Sequence, residues 1–274
     1  MRTSAPWFRR LLPLLLVLGL LAPAAPVLAE DEPAEGETGA EGEAETSPLK
    51  PADDKEAKAL AAEIKKIAKK KNANDVLPVL AKIEGLEHKD FDKVLLRLLK
   101  HQSSLVSLKA ADMWEWRVRD KKVASKLFKA TWLEKKNAKR FEVNARALKG
   151  FARAGIQLDA RQFKEVEKAW RWMVGNPDER WGNALAAIAG YVTISKDKRL
   201  FRRLADELDE PMATNPNSPS NPPASWWEKR WKLWKASKPA VVEALQAITG
   251  KEFDKTAEAK AWCEANGKKA GVEW

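Results

Sequence analysis

The chain has 274 residues, 50 basic and 39 acidic, with a net charge of +11 and a single cysteine, Cys263. One cysteine excludes an internal disulfide, so stability has to come from burial, for which a chain of this length is ample. The charge is segregated: taking off the three arginines of 1–29 and the eight acids of 30–48 leaves 47 basic and 31 acidic residues over 49–274, a net of +16.

Arg2, Arg9 and Arg10 precede the apolar run Leu11 to Leu21, and Val27-Leu28-Ala29 ends it with a small-residue cleavage signal. Pro13 interrupts the run, which is shorter than the ~20 residues of a membrane span. Residues 1–29 therefore predict a signal peptide cleaved near Ala29, and an exported (periplasmic or secreted) protein. No cysteine stands directly after that site, so no lipid anchor is expected. Residues 30–50 begin with eight acids and no base among Gly, Pro, Ala and Thr. Such a composition cannot bury enough apolar surface to fold and predicts a disordered leader. It reads as a solubilising spacer or, more sharply, as a polyanion that covers a basic face until another anion displaces it.

From Pro51 to Glu210 apolar residues recur at helical spacing. The series includes Ala57 to Ala68, Val76 to Ile83, Phe91 to Leu99, Leu105 to Val118, and Ala124 to Thr131. It continues through Phe141 to Ala152, closed by Gly155, then Phe163 to Met173, ended by the C-cap glycine and the proline of Gly175-Asn176-Pro177, Trp181 to Val192, and Phe201 to Leu208. Gly190 to Ser195 is the one β-branched run, and it reads as a helix C-terminus. Prolines in residues 211–224 exclude helix and central strand. Residues 225–274 form Trp-rich C-terminal helices that cap the domain, a short Trp-rich helix before Pro239 packing on a separate one over Ala240–Ile248.

Small-residue helices repeat as SLKAADMW, NARALKGF, NALAAIAG and VEALQAITG, the first three at intervals of roughly 37 to 40 residues. A helix pair per ~40 residues is the period of HEAT-type solenoids. The fold class expected is all-α, an α-solenoid of stacked antiparallel helix pairs with degenerate HEAT-like repeats. These helices, with WWEKRWKLW and AVVEALQAITGKEFDKTAEAKAWCEANG, resemble the exported HEAT-repeat-like proteins of planctomycete-type bacteria. In that group a step like Ile248-Thr249-Gly250 precedes an aromatic and a Trp-bearing capping helix, here Phe253 and Trp262. The resemblance covers residues 88–267 and implies an interaction role with no catalytic residues. The regular Asp-Pro turn and Val-Arg step of such repeats are missing here.

Twelve tryptophans follow the signal segment, against one tyrosine, Tyr191. On a helical wheel Trp227, Trp231 and Trp234 lie within about 60°, with Trp226 and Leu233 beside them and Arg230 between. The favoured expectation is a core-facing stripe; a ligand platform and a membrane-surface helix are the alternatives. In WEWR and WRWM the tryptophans stand two residues apart, about 200° around a helix, so both cannot face one core. If exposed, Trp116 with Arg117 and Trp172 with Arg171 are the best binding candidates, alongside Trp226 and Arg230.

Catalytic patterns are thin. His88 and His101 sit at helix ends, where capping is the ordinary role, and Glu87 to Asp92 matches no metal-ligand spacing. Cys263 reads as a buried thiol. No Gly-rich phosphate loop or nucleophile elbow occurs, so no cofactor, metal or enzymatic activity is expected. The leading expectation is a non-enzymatic scaffold binding another protein, and the alternative is a binder of anionic cell-envelope polymer or carbohydrate through exposed Trp and Arg/Lys. Nucleic acid and membrane are not expected as partners.

Overall fold

Burial of the helical stripes builds an all-α domain, seen in a computed structural model that describes residues 47–134, 139–213 and 218–274. The signal segment and almost all of the acidic leader lie outside these residues. The described part holds eleven α-helices: α1 (Asp54–Ile67), α2 (Ala73–Ala81), α3 (Lys89–Leu98), α4 (Ser104–Asp112), α5 (Lys121–Phe128), α6 (Phe141–Arg153), α7 (Ala160–Gly175), α8 (Trp181–Ser195), α9 (Phe201–Ala205), α10 (Ala224–Thr249) and α11 (Thr256–Ala270).

Side chains at the helix starts satisfy orphan N–H groups. Asp53 accepts from Lys55 and Glu56, Asn72 from Asn74, and Asp120 from Val123. Asp159 and Gln162 form a reciprocal capping box at α7. Glycines in the left-handed region close α6 and α10, Gly155 at φ 63° and Gly250 at φ 72°.

Each even-numbered helix packs on the next: α2 on α4, α4 on α6, α6 on α8, and α8 on α10. The odd-numbered helices flank them, α1 and α3 against each other, α5 against α6, and α9 against α10 and α11. The small residues of the sequence repeats make this succession of contacts possible. A Cβ on Gly150 would strike the Trp114 carbonyl and Val118, and one on Gly182 would lie 2.5 Å from the Ala236 methyl. Ala110, Ala147, Ala184, Ala189 and Ala244 are buried along the same faces.

Four local expectations are corrected. The helix expected over Leu105 to Val118 stops at Asp112, and Met113 to Arg117 continue as turns. Past Phe128 the α-helix widens into a π turn, Lys129–Leu133, where the Thr131 hydroxyl donates to the Leu127 carbonyl at 2.8 Å. Gly175 is the last residue of α7 rather than a left-handed cap; Asn176 ends the helix, its amide N–H and side-chain NH₂ both donating to Trp172. Helix α10 runs straight through Pro239, joining the Trp-rich segment to Ala240–Ile248. Proline removes the N–H that would reach the Lys235 carbonyl. Lys235 and Pro239 are both exposed, so water can take that carbonyl, and Ser237 on the buried side donates to Leu233 at 3.1 Å.

The run Gly190 to Ser195 is helical, within α8. The only strands among the described residues are Lys50–Pro51 and Leu86–Glu87, paired in parallel. Lys50 donates to Gly85 at 2.8 Å and Ala52 to Glu87 at 3.1 Å, which ties the chain entering α1 to the α2–α3 turn. Lys50 is thus bonded into the domain, one residue before the boundary drawn from composition.

Candidate interaction surface

The six residues singled out in the sequence fall into three environments. Arg117 and Arg230 are inside the protein, 1% and 7% exposed. That corrects their assignment to a binding surface. Arg117 lies in the turn after α4, where the chain folds back over α3. Its Nη2 donates to the Ile83 carbonyl at 2.9 Å and its guanidinium lies over Phe91. Arg230 sits in the buried stripe of α10 with Leu233, Ser237 and Val241, and its Nη2 reaches Glu207 at 2.7 Å. Burial pushes the Glu207 carboxyl above its ordinary range, and Arg230 pulls it back in part.

Trp116 and Trp226 are half-buried. The Trp116 ring carries the Arg153 guanidinium at 4.7 Å, and Trp226 lies edge-on to Trp227, 4.8 Å between centroids. Trp172 and Arg171 are exposed, Trp172 by 41%. The two-residue spacing in α7 puts Trp170 inside, 2% exposed, and Trp172 at the surface.

The tryptophans of α10 do not fill the core as an indole stripe. Trp226, Trp227 and Trp234 are half-buried and Trp231 is 38% exposed. The interior positions of that turn belong to Arg230 and Leu233, because Glu207 offers Arg230 a carboxylate there. The indoles flank the buried stripe, Trp231 donating to Glu210 at 2.7 Å, with Lys235 and Lys238 over Trp231 and Trp234.

The structure also gathers aromatic residues that the sequence left on separate helices. Phe141 at the start of α6 meets Trp172 of α7 at 5.2 Å and Trp181 of α8 at 5.1 Å. A cavity of about 260 Å³ is lined by Phe141 and Trp172 together with Trp132 and Lys168. Arg180 covers the Trp181 ring at 5.2 Å. Phe141 and Trp181 carried no binding signal in the sequence, since each fits a core stripe. Both stand at helix starts, where a stripe residue can face the rim of the domain.

A larger concavity, about 540 Å³, crosses α4, α6, α8 and α10. Its floor is small and apolar (Ala186, Ala187, Gly190, Ile194, Ala240), and Asp112, Arg146, Lys149, Arg153 and Glu243 stand around it. Arg146 is held by Asp112 at 2.8 Å and Glu142 at 2.7 Å, and Arg153 by Glu115 at 3.1 Å. These ion pairs tie α6 to α4 and its following turn, so the charged rim is fixed in place.

The remaining reactive groups have structural partners. His88 caps α3, its Nδ1 accepting from the Asp90 N–H at 3.2 Å while Nε2 meets Asp54 at 3.0 Å. Nδ1 of His101 accepts from Ser103 at 3.1 Å, so Nε2 carries the proton and donates to the Lys70 carbonyl at 2.9 Å. Cys263 is buried, its thiol pKa raised by desolvation and then by Glu264. Among the described residues no three His, Cys, Asp or Glu side chains form a metal-binding group. No helix among them is long and apolar enough to cross a membrane.

No protein-family model, curated protein or solved structure matches this chain.

Proposed function

We propose that this protein is an exported, non-enzymatic scaffold, an α-solenoid of degenerate HEAT-like helix pairs that binds another protein through its helical-repeat surface. The observation that carries the reading is the concavity across α4, α6, α8 and α10. Four helices distant in sequence each supply one strip of it. A small apolar floor lets a partner's backbone or helix approach closely, and the flanking charges supply register. Successive packing of α2, α4, α6, α8 and α10 supports the solenoid arrangement, with α10 and α11 as its cap.

A photo-activatable cross-linking residue tests this at Ala187 in the groove and at Lys164 on the exposed side of α7. A discrete protein adduct is expected from position 187 alone, and Gly190→Trp should abolish it. Equal adducts from both positions would sink the reading.

One observation favours a second reading, a binder of carbohydrate or anionic envelope polymer. Exposed Trp172 and half-buried Trp181 pack on buried Phe141, with Arg180 over Trp181 and Lys168 near Trp172, which is the composition of a sugar-stacking platform. Oligosaccharides that protect tryptophan fluorescence from iodide in the parent, and not in Trp172→Ala, would support it. Absence of protection at millimolar glycan would remove it.

A further inference from the structure

The C-terminal ends of α1 and α3 meet around a concavity of about 340 Å³ whose walls are cationic: Lys65, Lys69, Lys70, Lys71, Arg97 and Lys100. Its apolar lining, Ala68, Val94 and Leu98, lies between the cations, and no tryptophan lines it. Two acids answer this charge among the described residues. Asp75 lies 3.5 Å from Lys70, and Glu134 pairs with Lys100. His101, also in the wall, adds no charge, since Nδ1 accepts from Ser103 and Nε2 serves Lys70.

Cations in a last helical turn have an ordinary explanation, compensation of the helix dipole, but here it falls short. A helix C-terminus is worth roughly −0.5 charge. At α3 the role is taken by another residue, because Arg140 donates to the carbonyls of Leu99 at 3.2 Å and His101 at 2.8 Å. Six cations against two carboxylates and one open helix end leave an excess of roughly three and a half positive charges. Mutual repulsion in one concavity is a stability cost that Asp75 and Glu134 offset only in part.

We infer that this basin is a binding site for a linear phosphate-bearing polymer. Five of the six cations are lysines, compact point charges suited to tetrahedral phosphate. Arg97 adds one planar fork, which can grip two oxygens of a single phosphate. A threaded chain suits the concave shape better than a bilayer, which would meet only the rim. The basin shares no residue with the α4–α10 groove or the Trp172 cluster, so its failure would leave both readings of the previous section standing.

The test is fluorescence anisotropy of labelled inorganic polyphosphate with the full chain, repeated across ionic strength. Lys65, Lys69, Lys71 and Arg97 are exposed, so replacing all four by alanine leaves the core untouched, which circular dichroism checks. The expected result is at least a tenfold weaker affinity at 0.1 M salt. The slope of log affinity against log salt should also become shallower by about 3, at ~0.7 per lost phosphate contact. A matched variant removing Lys251, Lys255, Lys260 and Lys268 from the C-terminal region should bind as the parent does. Equal loss from both variants would reduce the effect to net charge and overturn the site. Polyglutamate binding as tightly as polyphosphate would overturn the phosphate assignment. Anionic phospholipid vesicles binding where the free polymer does not would overturn the polymer.

Discussion

Two arginines, Arg117 near one end of the helical series and Arg230 near the other, are buried by different means. Arg230 is neutralised by Glu207 at 2.7 Å, with both side chains under 10% exposed. Arg117 donates to a main-chain carbonyl, and its Nε and Nη1 are without partners, as is Oδ1 of the neighbouring buried Asp92. Desolvation raises Asp92 above the ordinary carboxylate range against the pull of Arg119, and it lowers Arg117 against the pull of Asp92. The α9–α10 region thus rests on a matched pair of charges, whereas the α3–α4 region rests on a cation held by a dipole and an aromatic face. The Arg230–Glu207 pair is brittle to the loss of either partner, with only Arg230 Nη1 left unpaired, whereas the Arg117 site leaves three polar atoms unpaired.

Replacing Glu207 by alanine leaves Arg230 as an uncompensated buried charge, which costs about 3–5 kcal/mol. For a domain of this size that is roughly 10 °C in Tm. The Glu207→Leu, Arg230→Met double variant should recover most of the loss, since a well-packed apolar pair of similar volume is close to neutral. A double variant as unstable as the single would break the contrast drawn here.

A third buried polar site sharpens it. The Tyr191 hydroxyl meets Asp197 at 3.2 Å, and burial together with that carboxylate pushes the phenol up from 10.0 to about 12. An unfolded chain releases this proton near 10, and the folded chain holds it to about 12. Between those values the unfolded state gains by deprotonating, so stability falls as pH rises, by about 2–3 kcal/mol across the window. Tyr191 is the sole tyrosine, so absorbance at 295 nm reads it alone. A folded-state midpoint near 10 would show that the site is not sealed.

Gly150→Ala should cost about 1–3 kcal/mol, because the new methyl meets the Trp114 main-chain carbonyl and not a yielding side-chain end. Gly190→Ala, one helix further on with open space around it, should stabilise by about 0.5–1 kcal/mol. Chemical denaturation of the pair checks that the cost belongs to the close approach at Gly150 and not to any methyl added to a helix glycine. Arg117→Met should cost about 1–2 kcal/mol, the Ile83 carbonyl losing its donor while two unpaired N–H groups disappear. A loss matching that of Glu207→Ala would mean the two buried arginines are held alike.

Most helices were legible because burying one face imposes a 3.6-residue period on the chain, and α1, α3, α6 and α7 carry it clearly. Helix ends were legible where the signal was chemical, as at Gly155 and Gly250. They were misread where the deciding partner is distant: nothing near Pro239 in sequence shows that Lys235 faces solvent, and nothing in WEWR shows that Trp114 begins a turn. Of the candidate surface, Trp172 could be placed from local spacing. The basic basin joins KKIAKKK to Arg97 and Lys100 across the α1–α3 contact, and no window of sequence contains both.

The sequence by itself determined the all-α class, the repetition of small-residue helices and the positive charge of the helical region. These are properties of short windows, set by periodicity and composition. Only the tertiary structure decided which arginines are cores and which are surfaces. A guanidinium can be buried where the fold supplies a carboxylate or a carbonyl from some twenty to thirty-five residues away, as Glu207 does for Arg230 and Ile83 for Arg117. Desolvation is the energy at stake in each case, and it depends on neighbours in space rather than along the chain.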